Sequence, residues 1–203
     1  IIARKLDVVI YPELGMDSMS MKLASMRLAP LQMVAWGHPE TSGLSTIDYY
    51  ISADGFESED AQNNYTEQLL ALPHLGCCYQ PLQVLHADFE PTEFGVDADA
   101  TLFVCPGTPF KYAPERDWVF VEIARRLGRC QFLFFHYDQE NLSEKLKARL
   151  DVAFDGADMY ADEFVVFLPW QSRPQFYGLL RRVDVFLDTL GFSGFNTAMQ
   201  AID

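Results

Sequence analysis

Long apolar runs are missing from this 203-residue chain. None reaches the ~18 residues needed to span a bilayer, so no membrane partner is expected. No signal peptide is visible. The chain opens on Ile1-Ile2 without Met and stops at Ala201-Ile202-Asp203 inside a helical pattern, so it reads as a piece of a longer protein. Cations are scarce: 15 Lys and Arg stand against 29 Asp and Glu, a formal net charge of −14. Such a surface repels nucleic-acid backbones, and no nucleic-acid partner is expected. A phosphate-bearing small molecule can bind only at a local site of backbone N–H groups and a few cations. Cysteine is sparse too. Cys77, Cys78, Cys105 and Cys130 form neither a CxxC pair nor a zinc spacing. They read as reduced, buried thiols of a cytoplasmic protein. There is no internal repeat and no low-complexity tract.

What is present is apolar material, 49% of residues with 14% aromatic, enough for one large domain or two small ones. Residues 1–85 read as strands at Leu6–Ile10, Leu31–Ala35, Tyr49–Ser52 and Glu67–Leu72. A helix is expected over Ser18–Leu28, with Met19, Leu23 and Met26 as its core face. Residues 86–100 are acidic, hold Pro91 and Gly95 and show no helical period; they read as a linker. That linker contains Asp97-Ala98-Asp99, the triplet that holds a divalent cation against a diphosphate in metal-dependent sugar transferases. Its acidic, non-strand setting favours solvated carboxylates, and no metal ligand is assigned.

Residues 101–203 alternate cleanly. Strands are expected at Thr101–Cys105, Gln131–Phe135, Phe164–Leu168 and Val183–Leu187. Helices are expected over Pro114–Leu127, Ser143–Phe154 and Pro174–Arg182, with another opening at Asn196. Such alternation predicts a parallel sheet covered on both faces, with ligands bound beyond the carboxyl ends of the strands. Three loops follow those ends. Cys105–Lys111 holds Thr108 and ends in a cation. Leu168–Arg173 and the helix after it offer Trp170, Gln171, Arg173 and Phe176: flat rings, an amide and a guanidinium that suit a nucleobase. Asp188–Asn196 holds Gly191 and Gly194, then Asn196 and Thr197 at a helix start, a cradle for an anion. Each loop alone has a plainer reading as a capped helix, a surface lysine or core aromatics. Together they suggest a nucleotide diphosphate.

Longer motifs carry a resemblance. Arg27-Leu28-Ala29-Pro30-Leu31-Gln32, then Trp36-Gly37-His38-Pro39-Glu40-Thr41-Ser42-Gly43, then Asp48-Tyr49 run in one order. Tyr65-Thr66-Glu67-Gln68-Leu69, Lys111, Val183-Asp184-Val185-Phe186-Leu187-Asp188-Thr189 and Gly194 to Thr197 follow. The series resembles the O-linked N-acetylglucosamine transferase/SPINDLY family of protein glycosyltransferases. The resemblance implies an α/β chain of GT-B type, two Rossmann-like lobes with parallel sheets, of which this chain covers part of the first and most of the second. It implies an inverting, metal-independent transferase that moves a sugar from a nucleotide-diphosphate donor, UDP-linked N-acetylglucosamine first, to a protein Ser or Thr. Lys111 is then expected on the diphosphate, with Thr197 and the nearby N–H groups. Gly37 and Pro39 would face the sugar, Arg173 the nucleotide and Phe176 the base. Gln200 stands where relatives place a ribose-binding Asp, and Asn196 replaces a Thr. Gly37-His38-Pro39 is shared with a bacterial, HMW1C-like branch that glycosylates asparagine. The histidine proposed as essential in relatives would lie upstream of Ile1. Two other function classes stay open: a nucleotide-sugar epimerase, and a non-catalytic nucleotide-sugar or protein-binding module.

Overall fold

In the computed structural model, which describes residues 2–137 and 139–202, the chain forms two units that divide between Gln80 and Pro81. The first is a parallel sheet of β1 (Val8–Tyr11), β2 (Leu31–Ala35), β3 (Tyr49–Ala53) and β4 (Gln68–Leu72), in that spatial order. Its core gathers Tyr11, Leu14, Val34, Ile47 and Tyr50 under the helix α1 (Ser18–Ala24). Asp17 starts α1 by accepting Ser20 N–H at 2.7 Å. The helix ends four residues earlier than expected, where the Ser25 hydroxyl bonds back to Lys22 O at 2.8 Å. Its inward face is also different. Met21, Leu23 and Ala24 meet the core, whereas Met19 and Met26 are 59% and 47% exposed. Of the expected face Met19, Leu23 and Met26, only Leu23 packs on the core. Cys77 and Cys78 are exposed rather than buried, because they lie in the turn past the end of β4. Cys105 and Cys130, inside strands, are buried.

The second unit is a parallel sheet of β5 (Thr101–Cys105), β6 (Cys130–Phe135), β7 (Val165–Leu168) and β8 (Val185–Phe186), in the order β7-β6-β5-β8. Strand alternation sends its side chains to two cores. Phe103, Cys105, Phe132 and Phe134 pack on one face with Phe120 of α2 (Trp118–Leu127) and with Leu146, Leu150 and Phe154 of α3 (Leu142–Asp155). Leu102, Val104, Leu133 and Phe135 pack on the other with Leu179 of α4 (Arg173–Leu180). Burial on both faces explains why β6 ends in four consecutive apolar residues, Phe132 to Phe135.

The segment 86–100, expected as a linker, packs into this second core through Phe89, Val96 and Ala100. Ala87 N–H donates to Pro174 O at 3.0 Å. Ala87 O lies so near Gly178 that a Cβ there would sit 1.9 Å from it, so only glycine fits. Three apolar residues at irregular spacing do this, and the surrounding acidic residues mask them in the sequence.

Candidate functional site

The order β7-β6-β5-β8 makes β5 a switch point: the chain winds from it toward β6 on one side, and β8 lies on the other. Ligand crevices form at the carboxyl ends of such strands, where the loops after β5 and β8 diverge. Here those loops are tied together. Tyr112 and Gly191 form an antiparallel bridge, and Gly107 N–H donates to Tyr112 Oη at 3.0 Å. A Cβ on Gly107 would fall 2.6 Å from Thr189 Cγ2, so glycine is required by the close approach. The 3-10 turn Pro109–Lys111 then brings Lys111 Nζ to 4.9 Å from the centre of the Phe192 ring, a cation–π contact across the two loops. The Thr108 hydroxyl is buried with no hydrogen-bond partner among the described residues.

Asp188 shapes the loop after β8. Its Oδ1 accepts Thr189 N–H at 2.8 Å and Gly194 N–H at 3.3 Å, and the Thr189 hydroxyl donates to Phe192 O. Helix α5 (Asn196–Ile202) starts at the expected residue. A Cβ on Gly194 would sit 3.1 Å from Thr197 Oγ1, so glycine leaves room for that hydroxyl.

After β7, Ser172 and Gln175 close a capping box on α4, with Ser172 N–H at 2.9 Å from Gln175 Oε1. Gln171 is only 9% exposed. Its Nε2 donates to Pro169 O at 2.7 Å, which fixes the amide. Its Oε1 is buried and has no partner among the described residues. A desolvated acceptor without a donor is costly unless something supplies one.

Gln171, Arg173, Phe176, Thr197 and Gln200 line one open groove of about 340 Å³, within the range of small-ligand sites. Pro106, Phe135, Trp170 and Ser172 complete its wall. Trp170 is 72% exposed, and Phe176 leans on Phe135 with ring centres 5.8 Å apart. Pro106 and Phe135 were missed in the sequence, although both sit at carboxyl ends of strands, where a crevice is built. Lys111, Thr108, Gly194 and Asn196 are not in the groove lining; they belong to the bridged loops beside it.

Asp97 and Asp99 stand at the opposite end of β5. Arg129 grips Asp97 through two hydrogen bonds of 2.7 Å and reaches Asp99 at 3.2 Å. Asp97 Oδ1 also accepts Asp99 N–H at 3.0 Å. The five residues of β5 put roughly 16 Å between these carboxylates and the loop at Pro106.

In the first unit, Gly37 N–H donates to Pro12 O at 3.0 Å, and a Cβ would lie 2.2 Å from that oxygen. The glycine is thus dictated by the approach of two backbones. His38 O accepts the Tyr50 hydroxyl at 2.6 Å, and Pro39 is exposed. Burial pushes the Tyr50 phenol up to about 12, so it stays a donor at ordinary pH. The other shared motif residues lock onto one another. Gln32, fully buried, accepts Leu28 N–H at 3.0 Å and donates to Met26 O and Thr46 O at 3.1 and 2.8 Å. Asp48 accepts from Arg27 at 2.6 Å and from Gln32 N–H at 2.8 Å, and the Arg27 bond holds its carboxyl below the usual range.

No family model matches the chain. Over 79 residues, 38% of its length, it is 37% identical to the probable UDP-N-acetylglucosamine–peptide N-acetylglucosaminyltransferase SPINDLY of Oryza sativa subsp. japonica. Over 74 residues, 36% of its length, it is 37% identical to the UDP-glucose:protein N-beta-glucosyltransferase of Actinobacillus pleuropneumoniae serotype 7 (strain AP76). These stretches span 8% and 12% of those proteins, so the chain matches a small part of each. A solved structure of a lysine-to-methionine mutant of Thermobaculum terrenum O-GlcNAc transferase matches 99% of this chain and 37% of its own, with a TM-score of 0.80 and 21% identity. The chain therefore has homologues among SPINDLY-type and bacterial protein glycosyltransferases, and the GT-B type fold of an O-GlcNAc transferase, as its motifs implied.

Proposed function

We propose that this chain is part of the catalytic region of an inverting, metal-independent glycosyltransferase that moves a sugar from a nucleotide-diphosphate donor to a protein side chain. One observation carries the reading. Five of the residues expected to hold the nucleotide line a single groove at the carboxyl edge of the second sheet. The base would lie against Trp170 and Phe176, donating an N–H to the waiting Gln171 Oε1. Gln200 would hold the ribose by a neutral hydrogen bond, and Arg173 would face the nucleotide. Gly194, Asn196 and Thr197 would cradle the phosphates, with the Thr108 hydroxyl as a further donor.

In the transfer, an acceptor oxygen attacks the anomeric carbon as the bond to the diphosphate breaks. Negative charge grows on the leaving diphosphate, and Lys111 would stabilise it. A fixed cation is most effective where charge develops. The base that takes the acceptor proton is expected outside this chain. Asp97 and Asp99 are engaged by Arg129 at the far end of β5, which supports a donor site that uses no divalent ion. UDP-N-acetylglucosamine and a Ser or Thr acceptor are the first assignment. A second assignment, glucose on asparagine, is favoured by Gly37-His38-Pro39 and by the name of the Actinobacillus relative. Exposed, unpaired Cys77 and Cys78 suit a cytoplasmic location. Among the described residues no helix is long and apolar enough to cross a membrane.

The test is calorimetric titration of the full-length protein with UDP, GDP and ADP in excess chelator, followed by sugar transfer to Ser/Thr and Asn peptides. Binding restored only by a divalent ion would overturn the metal-independent site. Donor turnover to an isomeric sugar nucleotide without acceptor would favour an epimerase.

A further inference from the structure

Glu67, immediately before β4, is 2% exposed. Its Oε1 accepts Ser42 N–H at 2.8 Å and the Ser42 hydroxyl; its Oε2 accepts the Thr41 hydroxyl at 2.6 Å and the Thr66 hydroxyl at 3.2 Å. Thr41 Oγ1 in turn accepts Thr66 N–H at 3.2 Å and Gly43 N–H at 3.3 Å. The turn at 41–43 is thus folded around one carboxylate. Three other well-bonded carboxylates each have a cation. Asp48 has Arg27, Asp97 has Arg129 and Asp117 has Arg149, whereas Glu67 makes no ion pair among the described residues.

A buried charge held only by neutral donors is an expensive way to fill a core, and an apolar side chain of similar size would pack there at less cost. The carboxylate is explained by what it holds. The turn continues directly from Gly37–Pro39, whose near end is pinned at Pro12 O and at Tyr50. Glu67 pins the far end of the same segment. Two fixed ends leave a short exposed stretch with little freedom.

We propose that Glu67 is a positioning residue that fixes the 37–43 segment, and with it Gly37 and Pro39, the residues expected to face the transferred sugar. This rests on the donor reading above. The test uses full-length Glu67→Gln and Glu67→Leu proteins. Amide exchange at Ser42 and Gly43 should quicken at least about tenfold in Glu67→Leu and less in Glu67→Gln, with β2 and β3 amides unchanged. The nucleotide dissociation constant should stay within about twofold, because the groove belongs to the second unit. The kcat should fall about tenfold to a hundredfold at unchanged donor KM, as misplacement of a positioning segment predicts. If Glu67→Leu fails to fold, Thr41→Val, which removes one of the hydroxyl bonds to Glu67 together with the acceptor of Gly43 N–H and Thr66 N–H, must show quickened exchange at Ser42, whose own bonds to Glu67 it leaves in place, and the same fall in kcat at smaller size. Unchanged exchange at Ser42 and Gly43, or quickened exchange with wild-type kcat, overturns the proposal. A wild-type protein that binds no nucleotide diphosphate sinks the donor reading alone, and the exchange result still decides whether Glu67 anchors the turn.

Discussion

Each of the two units has its own four-stranded parallel sheet, but the two use their polar motif residues differently. In the first, Arg27, Gln32, Asp48 and Glu67 bind one another or nearby backbone. In the second, Asp184 and Asp188 do the structural work. Asp184 accepts Leu102 N–H at 2.8 Å, at the edge of β5, and Asp188 folds its own loop. Gln171, Arg173, Thr197 and Gln200 are left to face a groove. A shared motif therefore marks a constrained position, and the structure decides whether the constraint is architectural or chemical.

The sharpest way to break this comparison is Gln32→Leu. The substitution keeps the volume but leaves Leu28 N–H, Met26 O and Thr46 O without their partner. With about 1–3 kcal/mol for each buried group left unpaired, and partial rehydration, the first unit should lose roughly 3–5 kcal/mol. Urea unfolding of the full-length protein checks this, and nucleotide affinity of the folded fraction should not change. A stable Gln32→Leu protein with lost affinity would reverse the roles assigned to the two units. Acid acts on the same clamps. Burial alone would raise the Glu67 carboxyl, but the bonds from Ser42 and Thr41 outweigh it, and both Glu67 and Asp48 are held below their ordinary values. A lowered carboxyl stabilises the fold above its unfolded value and loses that contribution as pH falls through the folded one. The first unit should therefore loosen on acidification below the ordinary carboxylate range, followed by exchange at Ser42.

Lys111→Ala tests the other side. An interaction that strengthens as the diphosphate leaves lowers the barrier rather than merely tightening the bound donor. The kcat should fall by roughly 10²–10³, with stability unchanged. Lys111→Arg should recover only part, because a planar fork does not replace a compact ammonium. A raised KM at normal kcat would make Lys111 a binding residue only.

Gln171→Met should have a smaller effect. Methionine keeps much of the length and removes a buried acceptor that has no donor in the described structure. Free-protein stability should change little, because relief at Oε1 offsets the lost Nε2 bond to Pro169 O, while the nucleotide dissociation constant rises about threefold to tenfold, the scale of one hydrogen bond. Equal affinity for the variant would show that Oε1 does not read the base.

Strand positions were the most legible part of the chain, because largely apolar runs as short as 101–105 and 131–135, bounded by polar residues, Gly or Pro, fit buried strands better than helices. The groove was legible as three loops, since parallel sheets place ligands at one edge. Helix faces were less so: in α1 a helical period fits more than one stripe, and only the sheet selects Met21 and Ala24 over Met19 and Met26. The role of 86–100 was hidden by composition, because Phe89 and Val96 obey no period. Glu67 and Asp188 were visible as motif letters, but their hydrogen bonds depend on turns that sequence does not fix.

The smallest expected effect is that of Asp97→Ala, and its smallness is the point. The Asp97–Arg129 pair is solvent-exposed, and its carboxyl is held low first by the Arg129 bond. Exposed pairs of this kind contribute little to stability. Were Asp97 and Asp99 instead the ligands of a cation that holds the donor diphosphate, their loss would abolish nucleotide binding, and chelator would do the same to the wild type. The position of the pair before β5, with the groove after it, predicts neither. Nucleotide affinity of Asp97→Ala should match the wild type with and without chelator, while loss of the carboxylate makes that end of the sheet one unit less negative and leaves Arg129 with Asp99. A chelator-sensitive wild type together with a dead Asp97→Ala would move the donor site to the amino end of β5 and take the groove residues out of the chemistry.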